Sequence, residues 1–311
     1  RYLFNMFVLI LKRALSAIPV LWIVATLTFV MVRIVPGGPF DLDKALPPEV
    51  VANINAKYHL DRPLLEQYGL YMARLCQGDL GVSYQYANRT VNDILTDALP
   101  VSLELGFLGL VLAILVGIPL GTIAAIKRGT IMDGTCMLIA TLGISVPGFV
   151  IGALLIFVFG LWRRTLPVAL WDSPEHMVLP AVTLAASPAA YLARLTRSSV
   201  LEILQKDWVR TARCKGLSWQ VTVAKHVLRN ALIPVVTVLG PLTAILITGS
   251  FVVEYIYAIP GMGRFFITAV SNRDYDLIIG TTLVFGGLLI VTNTIVDIAY
   301  MFLDPRMKVE G

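Results

Sequence analysis

The sequence predicts an all-α integral membrane protein. It should have six transmembrane helices, a small helical cap on the outer side between the first and second, and a basic cytoplasmic loop between the fourth and fifth. Three observations predict this. The chain of 311 residues is 57% hydrophobic and 14% charged, against about 25% charged in ordinary soluble domains, and its mean hydropathy is +0.78. Six stretches carry no charge over the length that a bilayer demands of a helix. The basic residues fall mostly on one side of those stretches.

The charge-free runs are 14–32, 105–126, 134–162, 177–193, 230–253 and 277–296. Allowing for helix ends, the expected spans are 10–34, 99–126, 134–162, 177–199, 230–254 and 277–302, in a single transmembrane domain over 1–311. The fourth run is the shortest and carries Pro180 and Pro188; proline is tolerated in spans because neighbouring helices satisfy the freed carbonyls. The first run is too long for a signal peptide and lacks a small-residue cleavage site. The sequence opens on Arg1, so an initiator methionine or a few residues are expected before it.

Six spans place both termini on one side. If that side is cytoplasmic, the short inner segments hold fifteen of the 25 basic residues and five of the 20 acids. These include Arg1, Lys12, Arg13, Lys127, Arg128, Arg306 and Lys308 outside the loop between the fourth and fifth spans. The positive-inside rule then sets the orientation and accounts for the net charge of +5, so no nucleic-acid partner is implied.

Residues 35–98 form the cap. "LPPEVVANINAKYHL" (46–60) has proline near a helix start and an acid in the first turn. "RPLLEQYGLYMARLCQGD" (62–79) places Leu64, Leu65, Tyr68, Tyr71, Met72 and Leu75 on one helical face. "TVNDILTDAL" (90–99) reads as a short helix leading into the second span. No internal repeat is visible, which weakens an inverted-repeat secondary transporter.

Signatures of catalysis are missing. The sequence has no GxxxxGK[ST], HExxH or GxSxG. Cys76, Cys136 and Cys214 form no CxxC or Cys/His cluster, so no metal site is expected. The polar candidates at membrane depth are Glu104, Asn293 and Asp297. Asn293 and Asp297 are four apart and share a helix face. Ionisable residues in a span usually face a bundle interior or a wet cavity. These three therefore either line a translocation path or, more blandly, bond between helices or sit at an interface.

The loop 200–229 is more specific. "DWVRTARCKGLSWQVTVAKHVLRNALIP" carries Arg210, Arg213, Lys215, Lys225 and Arg229. It reads as a helix over 208–215, a stop at Gly216 and a second helix over 219–228. Ala212 and Gly216 are four apart, so two small residues share a face and allow close approach by another surface. Basic side chains beside them can pair with acids on a partner or with lipid phosphates. Plain positive-inside anchoring explains the charges equally well, but not the small-residue spacing.

The order A-x-x-x-G, an apolar–polar helix and then H-x-L-R-N-A-L-x-P resembles the cytoplasmic loop of binding-protein-dependent ABC importer permeases. That superfamily's loop begins E-A-A, has glycine four residues after the second alanine and ends I-x-L-P. The matching positions here are Arg210, Thr211, Ala212 and Gly216, then His226, Leu228 and Arg229. The first two letters and the final proline depart from the general pattern, and R-T-A-x-x-K-G is similar to the peptide-permease branch, with Cys214 where that branch commonly has alanine. "RIVPGGPF" (33–40), "GDLGVSY" (78–84), "TRSSVLEIL" (196–204), "PGMGRFF" (260–266) and "NRDYD" (272–276) resemble the same branch. "LPPEVVANINAKYHL" and "TVNDIL" look closest to the oligopeptide permease subunits of Gram-negative bacteria.

The resemblance implies a multi-pass permease of the bacterial inner membrane that pairs with a paralogous permease. Two cytoplasmic ATPase subunits would hold ATP and magnesium, a periplasmic protein would deliver peptide, and this chain would carry no cofactor. Arg210, Thr211, Ala212, Arg213, Lys215 and Gly216 would then belong to a coupling helix docked on an ATPase. The expected cargo is oligopeptide; dipeptides, murein peptides, haem and metal chelates are alternatives within the same architecture. An ion-coupled secondary transporter would need carboxylates near the midplane, and an intramembrane hydrolase a nucleophile–base pair.

Overall fold

A computed structural model describes residues 2–40, 48–248 and 251–303. Arg1, Pro47, and the tail charges Asp304, Arg306, Lys308 and Glu310 lie outside the described residues. Among the described residues the chain is helical, with one isolated antiparallel bridge between Val82 and Thr90. The helices are α1 (Tyr2–Ile34), α2 (Pro48–Lys57), α3 (Leu64–Leu75), α4 (Val91–Ile126), α5 (Ile131–Ser145), α6 (Gly148–Leu155), α7 (Pro174–Leu204), α8 (Asp207–Cys214), α9 (Trp219–Val221), α10 (Leu228–Ala231), α11 (Ile233–Thr248), α12 (Phe251–Ile256), α13 (Met262–Asn272) and α14 (Tyr275–Leu303).

Four described helices are long and apolar enough to cross a bilayer, at Ile10–Ile34, Val91–Ile126, Pro174–Leu204 and Tyr275–Ile298; a fifth stretch, Ile233–Ile256, has the length and composition too but includes residues 249–250, which lie outside the described residues. The sequence expectation of one straight span over 134–162 is corrected. Ile131–Ser145 and Gly148–Trp162 meet at 106°. The break is at Pro147, which lacks an N–H and disfavours the helical region for the residue before it; Val146 is extended, with φ −86° and ψ 124°. Counting that pair as one span makes six. Past the bend, α6 widens into a π-helical run, Ile156–Trp162.

Two further expectations change. The short helix over 90–99 and the second span are one continuous helix of 36 residues. The second loop helix is not uniform: α9 gives way to a π-helical run, Thr222–Val227, before α10. Helix α13 was not foreseen at all.

The chain folds into two compact units, Arg1–Ser102 with Pro260–Val291, and Leu103–Ile259 with Thr292–Gly311. In the first, Ala25 and Phe29 of α1, Tyr71 of α3, and Ile279 and Leu283 of α14 form a buried cluster. Phe29 meets Tyr68 edge-on at 5.3 Å, and the Tyr68 hydroxyl bonds Thr26 at 2.8 Å. The predicted apolar face of α3 is therefore real at Tyr68, Tyr71, Met72 and Leu75. Leu64 and Leu65, in the first turn of α3, depart from it and are exposed.

In the second unit α7 is the central element. Gly117 and Gly121 of α4 face Ala189 and Ala193 of α7 so closely that a Cβ on Gly121 would lie 2.2 Å from the Ala193 carbonyl oxygen. Small residues allow this approach without side-chain intrusion. Gly143 of α5 meets the Ala190 side chain in the same way, at 3.0 Å from an added Cβ. Around this seam Ala113, Ala185, Leu192, Val235, Leu242 and Leu246 close an apolar core.

Candidate functional site

Asp207 lies in the first turn of α8 and Arg213 in the last, which suits the helix dipole at both ends. Val209 is the buried residue of α8. It joins Ala125, Val200, Val227 and Ala231 in a small apolar cluster at the foot of α4 and α7. Opposite Val209, at about 100° per residue, lie Asp207, Thr211 and Cys214, all exposed. Ala212 is three residues from Val209 and shares its side; it is half-buried against its own unit.

The end of α8 is a left-handed stop. Gly216 has φ +84°, and a Cβ there would meet nothing within 4 Å. Its amide donates to the Arg213 carbonyl at 3.0 Å and that of Leu217 to Ala212 at 3.4 Å, which satisfies carbonyls at the helix end. Glycine is demanded here by backbone conformation, and not by any neighbour within the chain. Beyond it Leu217, Trp219 and Val221 are exposed. The Arg213 guanidinium lies 5.1 Å over the Trp219 ring. The Ser218 side chain accepts from the Val221 amide and starts α9. The result is an exposed apolar patch rimmed by Arg210, Arg213 and Lys215, a composition typical of an interface centre.

Of the intramembrane candidates, Glu104 is exposed and accepts a hydrogen bond from the Trp171 indole at 3.0 Å. Asn293 and Asp297 are half-buried on α14, near the point where Val296 packs so tightly on Gly240 of α11 that a Cβ there would come within 2.0 Å.

Sequence reasoning missed four buried or paired groups. Glu254 on α12 is completely buried; its only sequence signal was that it ended a charge-free run. Asp133 of α5 and Arg197 of α7 form a bidentate pair, Nε–Oδ1 and Nη2–Oδ2 both 2.8 Å, and Asp133 also accepts from the Gly129 amide at 3.0 Å. Asp274 and Asp276 are buried in the first unit. There "GDLGVSY" and "NRDYD" prove to be one assembly: Asp274 accepts from the Ser83 hydroxyl and the Tyr84 amide at 3.1 Å, while Asp276 accepts from the Val82 amide at 3.4 Å. Burial pushes the Asp274 carboxyl above the ordinary carboxylate range, against the pull of the Ser83 hydroxyl and the Tyr84 amide. Burial likewise raises the Tyr84 phenol. Among the described residues no group of His, Cys, Asp or Glu could hold a metal ion.

The described residues thus hold apolar spans and, at the foot of α4 and α7, an exposed helix whose buried residue is Val209. Comparisons with known proteins identify the family. A family model described as "Binding-protein-dependent transport system inner membrane component" matches residues 117–309, and the model for the N-terminal part of such membrane components matches 6–106. The chain is 46% identical over 298 residues to the dipeptide transport system permease protein DppB of Bacillus subtilis, covering 96% of this chain and 97% of that one. It is 43% identical over 301 residues to the oligopeptide transport system permease protein OppB of Salmonella typhimurium, covering 96% and 98%. A solved structure of the MetNI methionine ABC transporter in inward-facing conformations superposes with a TM-score of 0.53 at 19% identity, covering 68% of this chain and 94% of that one, and so shares the fold.

The chain therefore belongs to the inner-membrane components of binding-protein-dependent transport systems, in the peptide-transport permease branch of ABC importers. It is a multi-pass membrane transport subunit and not an enzyme. The expected preference for oligopeptides is not separated by these relatives, since the dipeptide permease is at least as similar as the oligopeptide permeases.

Proposed function

We propose that this chain is one of two pore-forming permease subunits in an ATP-driven importer that moves peptides from periplasm to cytoplasm by alternating access. Its partner in the membrane is a paralogous permease. Two cytoplasmic ATPase subunits bind ATP and magnesium beneath, and a periplasmic binding protein delivers the peptide. Both termini and the loop 200–229 are cytoplasmic, on the side that holds most of the basic residues. The short end of the peptide range, dipeptides, is the better-supported cargo, because the dipeptide permease of Bacillus subtilis is 46% identical to this chain.

The observation that carries the mechanism is the construction of α8. One apolar anchor, Val209, ties it to the foot of α4 and α7, and the opposite face is left to solvent with an exposed Trp219 beside it. Such a helix transmits a push between an external body and the spans. ATP-driven closure beneath would bias the two access states through differential contacts here.

The test is uptake of labelled Ala-Ala by proteoliposomes containing the co-purified complex. ATP-dependent uptake that needs the binding protein is expected. Uptake by this chain alone, driven by an ion gradient, would replace this reading with a secondary transporter.

A further inference from the structure

Beside the buried carboxylates of the first unit lies a cavity of about 240 Å³. That is room for several waters or for the end of a short peptide. Among the described residues its wall carries Arg33, Lys57 and Arg74, the rings of Tyr58 and Tyr84, and one carboxylate, Asp276.

The cations outnumber the acid, and the acid is already engaged. Asp276 accepts from the Val82 amide at 3.4 Å and from the Tyr84 hydroxyl at 3.4 Å, and Arg74 stands 3.8 Å away. Arg33 is half-buried and held before any ligand arrives. Its Nε donates to Gln67 at 3.0 Å, and its guanidinium lies 3.5 Å over the Phe29 ring. Gln67 is fixed in turn by the carbonyls of Leu60 and Arg62, at 3.2 and 2.8 Å. A preorganised guanidinium loses little freedom on binding an anion. The Tyr58 and Tyr84 rings, 4.8 Å apart and edge-to-face, supply an apolar wall next to it. A few convergent polar groups set in aromatic walls are the composition of a small-molecule site.

We infer that this cavity is a subsite for a carboxylate carried on a short peptide, with Arg33, Lys57 and Arg74 facing the C-terminal carboxylate and the Tyr58–Tyr84 wall facing the last side chain. The inference rests on the peptide-transport reading for its ligand class. It is lined within the first unit by α1, α2, α3, Val82, Tyr84 and the start of α14.

The experiment uses the purified complex in lipid nanodiscs without the binding protein, and compares binding of Ala-Ala with that of C-terminally amidated Ala-Ala by saturation-transfer NMR. Loss of a charge-assisted contact should weaken the amide about tenfold or more. Lys57→Gln and Arg33→Gln should weaken Ala-Ala in the same sense, and the amide comparison on unaltered protein stands even if Arg33→Gln fails to fold. Equal binding of acid and amide, or no binding of either, overturns the subsite. Acetate competing as well as Ala-Ala overturns the peptide assignment. ATP-driven uptake by the same preparation with its binding protein is measured alongside. Intact uptake without acid-selective binding removes the subsite alone, whereas absent uptake counts against the transport reading and leaves acid-selective binding to stand for the subsite.

Discussion

Helices α7 and α8 are neighbours in sequence and opposites in construction. α7 is 31 residues long and half of its most apolar window is buried. It is gripped by glycines of α4 and α5 at backbone contact and by the Asp133–Arg197 pair. α8 is eight residues long and buries Val209. The first is determined by the chain itself. The second satisfies its own backbone and leaves most of its side chains exposed, including the basic ones of Arg210 and Arg213. Substitutions should therefore act on folding in α7 and on coupling in α8.

The largest effect should come from the seam. Gly121→Ala places a Cβ against the backbone of Ala193, where no side chain can swing aside. We expect a loss of 3 kcal/mol or more, at or beyond the upper end of the ~1–3 kcal/mol typical of overpacking, read as a fall in thermal midpoint and in membrane-inserted yield. An unchanged midpoint would mean that the α4–α7 approach is looser than described.

Next is the clamp between α5 and α7. Asp133→Ala leaves Arg197 without its bidentate partner in a site where Asp133 is 6% exposed. Breaking a buried pair in this way typically costs about 3–5 kcal/mol; with the Arg197 side chain 28% exposed, a value near or below the lower end, about 2–3 kcal/mol, is expected. Asp133→Ala with Arg197→Met should recover part of it, and a double-mutant cycle measures how much.

At α8 the readout changes from stability to transport. Gly216→Leu should insert and fold at nearly normal abundance yet abolish peptide uptake, because both its left-handed φ and its open surroundings are altered. A mismatch of about 1–3 kcal/mol at the docking surface shifts binding roughly 5- to 150-fold. Gly216→Asn separates the two causes, since asparagine tolerates the left-handed region: it should retain more uptake than leucine. The smallest effect should be Arg210→Ala, an exposed charge whose loss costs about 1 kcal/mol or less, seen as a modest fall in uptake that is stronger at low salt.

The same contrast governs how much was legible in the sequence. Runs without charge reveal spans because the bilayer filters for them, so four of the six runs lie in single long helices, at α1, α4, α7 and α14. The 106° bend escaped because charge counting is blind to Pro147. Helix α13 escaped because it is only 11 residues long and charge counting, which finds spans, does not register a short amphipathic helix. The burial of Asp274 and Asp276 escaped because their partners at Val82, Ser83 and Tyr84 are about 190 residues away, a distance no local pattern crosses. In the loop, the stop at Gly216 was readable from glycine's permissive φ. The side on which Ala212 falls was not, because it depends on where Val209 finds its cluster.

The central claim is that α8 presents its outer face to an ATPase subunit. Thr211 lies on that face, opposite the buried Val209. With Cys76 and Cys214, the exposed cysteines, changed to serine, a Thr211→Cys chain labelled with benzophenone maleimide can be illuminated within the assembled complex and its adducts identified by mass spectrometry. The account predicts an adduct to the ATPase subunit whose yield changes when ATP is bound. Adducts confined to lipid, with no ATPase peptide among them in a complex that still transports, would contradict it.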